Sequence, residues 1–197
     1  MASKTQIANR ALSKVGDTRV SNIETDGSER ALVINEMYEQ VRDALLQSYP
    51  WNFAIKRTNL ALDGTSPNWG WANRYQLPSD CLALLDIKTS PDYRVEGGYI
   101  LTDNGAPLYI RYIKSVTSEG EFDAMFTEAF AAELAVESSE RLSQSNTKKQ
   151  ILIAERDEII KRAFANDAIA DPPQSLPDDE WLLSREFTYD DDINYNL

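Results

Sequence analysis

The hydrophobic period changes twice along the 197 residues, and this constrains the fold more than any other feature. Apolar residues recur at helical spacing up to Pro50, alternate singly with polar ones between Trp51 and about Ser115, and return to helical spacing from Asp123. No fixed-period repeat or sustained heptad occurs, so solenoids and long coiled coils fit poorly and a mixed globular fold is left. The expected class is α+β: a helical bundle built from the N-terminal and C-terminal helices, an inserted antiparallel β domain, and an extended C-terminal tail. The boundaries expected are 1–50 for the N-terminal helices, 51–116 for the β insertion, 117–171 for a C-terminal helical hairpin and 172–197 for the tail. With 42% hydrophobic residues, the chain has enough apolar surface for a core.

Local signals bound the elements. Ser3 and Gln6 have capping-box spacing, Ile7, Ala8, Ala11, Leu12 and Val15 share a face, and Gly16 supplies a left-handed terminus. Asp26 and Glu29 repeat the box ahead of a longer stripe of Ala31, Leu32, Ile34, Met37, Tyr38, Val41, Leu45 and Leu46, which Pro50 stops near Ser48. Strands are expected at 54–62, 83–89, 99–102 and 108–114, the last two joined through Asp103-Asn104-Gly105-Ala106. Gly97-Gly98 is a further turn signal. Phe122, Met125, Phe126, Ala129, Phe130, Glu133 and Leu134 mark a helix to about Ser143. Ile151, Leu152, Ile159, Ile160, Ala163, Phe164 and Ala168 mark another that Pro172 and Pro173 end, and the two should pair.

Charge and residue content remove several kinds of function. Lys and Arg number 20 against 32 Asp and Glu, a net charge of −12 that repels phosphate and anionic headgroups at long range. No histidine is present, so imidazole general bases, His-based triads and the commonest zinc ligand are missing. One cysteine, Cys81, cannot form an internal disulfide and has no histidine to activate it, which favours a packed thiol. No apolar run approaches the roughly 18–20 residues of a membrane span, and the opening MASKTQIANRALSKVG has no hydrophobic leader core, so the chain reads as soluble and not inserted in membrane. Phosphate-loop and dinucleotide glycine patterns do not occur, and no cofactor is expected.

Two groups of residues stand out. From Asp171 onward eight acids face one base, Arg185, giving 1 − 8 = −7, yet Trp181, Leu182, Phe187 and Tyr189 lie among them. Bulky apolar side chains in an acidic segment suit docking onto a partner. The second group, Tyr49, Trp51, Phe53, Trp69, Trp71 and Tyr75, reads as a hydrophobic seam between helix and sheet or between subunits, with sugar or base stacking as its rival.

Four strings carry a family resemblance: RALSKVGDTRVSNIETDGSERA at 10–31, RDALLQSYPWNFAIKRTNLAL at 42–62, YQLPSDCLALLDI at 75–87 and FDAMFTEAFAAELA at 122–135. Together, across roughly residues 5–170, the chain resembles the head-to-tail adaptor of short-tailed bacteriophages, the tail tubular protein A or gatekeeper family. The resemblance implies a homo-oligomeric ring, usually a dodecamer, beneath the portal protein. It also implies a tail nozzle protein below, tail fibre proteins at the side, a place in the virion tail, and passage of double-stranded DNA through the centre. The tail residues Trp181, Leu182, Phe187 and Tyr189 would then grip the portal.

The alternative from another class is a carbohydrate-degrading tail enzyme. It would need a carboxylate pair on structured elements, such as Glu133 or Glu137 facing Asp80 or Asp86. Under the adaptor expectation the acidity keeps a passing genome from sticking. Filter binding should therefore give weak, salt-sensitive affinity for duplex DNA, and nanomolar affinity at physiological salt would contradict it.

Overall fold

The computed structural model describes residues 2–88 and 92–170. They form helices α1 (Lys4–Val15), α2 (Glu29–Ser48), α3 (Ala124–Leu142) and α4 (Asn146–Ile169), and strands β1 (Ile55–Leu60), β2 (Asn73–Gln76), β3 (Cys81–Ile87), β4 (Tyr93–Glu96), β5 (Tyr99–Thr102) and β6 (Leu108–Lys114). The fold is α+β, with all strands between the two pairs of helices. No helix among the described residues is long and apolar enough to cross a membrane.

α1 begins and ends as its sequence dictates. Ser3 and Gln6 close a reciprocal capping box, and Gly16 adopts φ 80° so that its N–H reaches the Ser13 carbonyl while Asp17 N–H reaches that of Leu12. The following loop is then strapped back along the helix. Asn9 accepts the Val20 N–H at 2.8 Å and donates to the Val20 carbonyl at 2.9 Å, which buries Val20 and Ile23 in the helical core. α2 starts later than the Asp26–Glu29 spacing predicts. The Asp26 carboxylate instead accepts the Ser28 N–H at 2.9 Å, closing a turn before the helix, and Ser28 takes the cap position without a side-chain bond. Leu32, expected in the buried stripe, is 59% exposed, and Val33 is buried in its place.

α3 is the central helix and touches the other three. Ten of its residues are buried, including Ala129, Ala131, Ala132 and Ala135, whose small side chains let neighbouring backbones approach on several sides. The expected single stripe is thus a helix buried almost all round. α4 lies against α3 as a hairpin, held by Leu152, Ala163 and the pairing of Arg156 with both carboxylate oxygens of Glu133 at 3.0 Å. Ile151, assigned to the apolar face of α4 by its spacing, is exposed.

The strands form two antiparallel three-stranded sheets, ordered β1-β6-β3 and β2-β5-β4. This corrects the expected hairpin between 99–102 and 108–114, because β5 and β6 belong to different sheets. The turn residues are engaged elsewhere: Asp103 accepts the Ala72 N–H at 2.8 Å, while Asn104 offers its carbonyl to Asn73 and to the buried Tyr75 hydroxyl. β5 instead pairs with β4 across Gly97-Gly98, both at positive φ, and with β2. β2 and β4, four residues each, carried too short an alternation to be expected.

Two cores result. Tyr75, Ile87, Ile100, Leu108, Ile110 and Tyr112 fill the space where the two sheets meet. Ile113, Val116 and Ala54 join the helical core, with Leu82, Ala83 and Leu85 packed against it. β6 therefore has apolar residues on both faces, one set for each core.

Trp51 is buried against Phe126 and Phe164, and its ring N–H donates to the Leu45 carbonyl at 3.1 Å. Trp51→Ala is expected to cost roughly 3–5 kcal/mol of stability in urea unfolding followed by circular dichroism. Trp69→Ala, at a position 86% exposed, should stay within about 0.5 kcal/mol.

Candidate functional site

The six aromatic residues of the expected seam occupy three places. Tyr49, Trp51 and Phe53 enter the helical core: Tyr49 stacks on Phe164 with centroids 4.2 Å apart, Trp51 meets Phe126 edge-on at 5.1 Å, and Phe53 meets the same ring at 5.0 Å. Tyr75 is fully buried in the core between the sheets. Trp69 and Trp71 stand on the loop before β2, Trp69 in solvent and Trp71 half-buried. A single seam is therefore replaced by a packed junction, a strand anchor and a surface pair. Periodicity places Phe122, Phe126 and Phe164 on helical stripes but does not show that they complete this junction, because they come from the segment around α3 and from α4, far away in the chain.

The tail residues Trp181, Leu182, Phe187 and Tyr189 lie outside the described residues.

Trp69 and Trp71 flank an open groove of about 620 Å³ that also takes in Arg74, Arg94 and Tyr99. The Arg74 guanidinium lies over the Tyr99 ring, 4.6 Å from its centroid, and bonds the Asp63 carboxylate at 2.8 Å. Elsewhere Leu32, Leu62, Tyr93, Val95, Tyr109, Ile151 and Ile169 present large apolar side chains to solvent. They occur on helices, strands and the loop after β1, so the exposed apolar surface is shared between both halves of the fold.

The carboxylates named for glycosidase chemistry are not brought together. Glu133 is engaged by Arg156 and shares a groove between α2, α3 and α4 with Glu137. Asp86 pairs with Arg111 on the sheet at 2.7 Å, in a different groove. Asp80 accepts from Lys56 at 3.0 Å and from the Tyr112 hydroxyl at 2.9 Å. Among the described residues no cluster of Cys, Asp and Glu is arranged to hold a metal ion.

Asp80 organises the start of β3. Its backbone carbonyl accepts the Ser115 N–H at 2.7 Å, and its side chain holds Lys56 from β1 and Tyr112 from β6, so one residue ties all three strands. Burial works to raise its carboxyl, but the Lys56 and Tyr112 hydrogen bonds and the Lys56 charge outweigh it and hold the group below its ordinary 3.8. The neighbouring Cys81 thiol is pushed up by burial and by the Asp80 charge, which disfavours the nucleophilic thiolate.

No protein-family model matches the chain, and no curated protein matches it in sequence.

Because the folded Asp80 carboxyl is depressed, its ionised form stabilises the fold above the unfolded value, and that contribution fades as pH falls through the folded value. Asp80→Asn should be less stable than the parent at pH 7 and lose less stability between about pH 5 and pH 3, as read from urea midpoints. Parallel pH curves for the two proteins would contradict this.

Proposed function

We propose that the chain is a non-catalytic structural adaptor of a short-tailed bacteriophage. In this reading it assembles into a ring beneath the portal protein, carries the tail nozzle and fibre proteins, and continues the channel through which double-stranded DNA leaves the head. It acts in the virion tail after synthesis in the host cytoplasm.

The observation that carries the reading is the distribution of exposed apolar side chains. Leu32, Ile151 and Ile169 project from the helices, and Trp69, Tyr93, Val95 and Tyr109 project from the strands and their loop. Trp69, 86% exposed beside the half-buried Trp71, offers a large aromatic surface that suits a contact with a partner. A ring built from head-to-tail contacts needs two unlike surfaces on each subunit, and apolar groups on both halves of the fold suit that geometry.

The strings that resemble the adaptor family also support it, since each has a physical task here. Gly16-Asp17 forms the terminus of α1, Pro50-Trp51-Asn52-Phe53 turns α2 into the aromatic junction, and Asp80-Cys81 opens β3. These are fold-bearing positions, which is the role such strings have in a scaffold. The acidity agrees as well, because a ring repeats the net charge of each subunit around a conduit and so repels phosphate.

Sedimentation of the protein alone and with purified portal rings of the same phage tests the proposal. Co-sedimentation in a fixed ratio, with ring-sized particles, is expected, and Trp69→Ser should weaken assembly while leaving the unfolding midpoint unchanged. A monomer that ignores the portal and steadily releases reducing ends from peptidoglycan or capsular glycan would favour the enzyme.

A further inference from the structure

The β1-β6-β3 sheet has one face whose near end, around Ile55, Ala83 and Ile113, meets the helical core. Its far end runs on as an open groove of about 780 Å³ bordered by Arg57, Asn59, Asp86, Lys88, Tyr109 and Arg111. In the strand register Arg57 stands directly opposite Arg111, a like-charge pair that costs stability unless an anion lies nearby. Asp86 answers Arg111, but among the described residues Arg57 and Lys88 have no carboxylate at ion-pair distance. Lys88 lies instead over the exposed Tyr109 ring at 5.1 Å. Three cations against one acid leave 3 − 1 = +2 in a chain whose net charge is −12. The Arg111 Nε is also buried there without a hydrogen-bond partner.

We infer that this groove binds the acidic C-terminal segment of its own chain, residues 171–197. The charge is complementary, since that segment carries −7 and intersperses its acids with aromatic side chains that suit Tyr109. The topology also brings the two together. At the end of α4 the Asp167 carboxylate accepts the Asn52 N–H at 3.2 Å, so the helix delivers the chain to the root of β1, and Arg57 lies five residues beyond Asn52. That is at most about 17 Å along the strand, whereas the 27 residues after Ala170 can span up to ~90 Å. The inference does not rest on the adaptor reading. If both hold, the groove keeps the segment until a portal competes for it.

The test is paramagnetic relaxation in the full chain, with Cys81→Ser and a nitroxide on Leu62→Cys, an exposed position just past β1 and outside the groove. Amide signals of residues 171–197 should broaden when label and isotope are on the same chain. They should recover at about 1 M salt, where the screening length is about 3 Å. They should also recover in Arg57→Ala/Lys88→Ala, which alters two exposed side chains. No broadening, or broadening that survives both treatments, overturns the inference. Broadening confined to a mixture of labelled and isotope-enriched chains assigns the segment to a second copy and also overturns it. The same holds if a short DNA duplex shifts the groove amides while the tail amides ignore the groove variant. Ring assembly is read separately by sedimentation, so either idea can fail alone.

Discussion

Pro50 ends α2 and turns the backbone so that the Trp51 indole drops between α3 and α4, its N–H returned to the last turn of α2 through the Leu45 carbonyl. The first chain crossing from helices to strands is made at this point. Asn52–Ala54 forms a 3-10 turn directly after it, with its first N–H accepted by Asp167 from the far end of α4, and β1 begins at the next residue. Phe53, Phe122 and Phe126 extend the same ring cluster toward α3, with centroid separations of 5.0–6.1 Å. Close-packed aromatic rings in tilted and edge-to-face contact leave few low-energy alternatives, so the direction of β1 is fixed by packing as well as by hydrogen bonds.

This explains which parts of the fold could be read from the chain. Three helix ends were legible because their causes are local: Ser3 with Gln6, Gly16 and Pro50 each act within four residues, whereas the equally local Asp26–Glu29 spacing misplaced the start of α2 because Asp26 bonds Ser28 instead. Burial was less legible, since the periodic stripe of α2 included Leu32, which faces water, and α3 is enclosed on sides that no stripe indicates. Strand pairing was the least legible. Asp103-Asn104-Gly105 has the composition of a hairpin turn, but its polar groups bond residues 72–75, and that long-range choice sends β5 and β6 to separate sheets.

The candidate surfaces follow the same division. Aromatic residues close in sequence were grouped because nothing local distinguishes Trp51, which is buried, from Trp69, which is in solvent. The cationic groove could not be seen at all, because Arg57, Lys88 and Arg111 come from three separate stretches and meet through the antiparallel register. Only the antiparallel pairing of β1 with β6 sets Arg57 opposite Arg111.

The polar chemistry of the fold shows how an acidic chain spends its bases. Lys56 goes to Asp80, Arg74 to Asp63, Arg156 to Glu133 and Lys149 to Glu140, each linking separate elements and each leaving a carboxylate neutralised. Acids outnumber bases, yet on one face of the β1-β6-β3 sheet Arg57 and Lys88, on either side of β6, have no carboxylate at ion-pair distance among the described residues, and Arg57 stands opposite Arg111. The interior is held by aromatic packing, the ion pairs tie neighbouring elements nearer the surface, and Trp69, Tyr109, Arg57 and Lys88 remain exposed on the outside of the folded body.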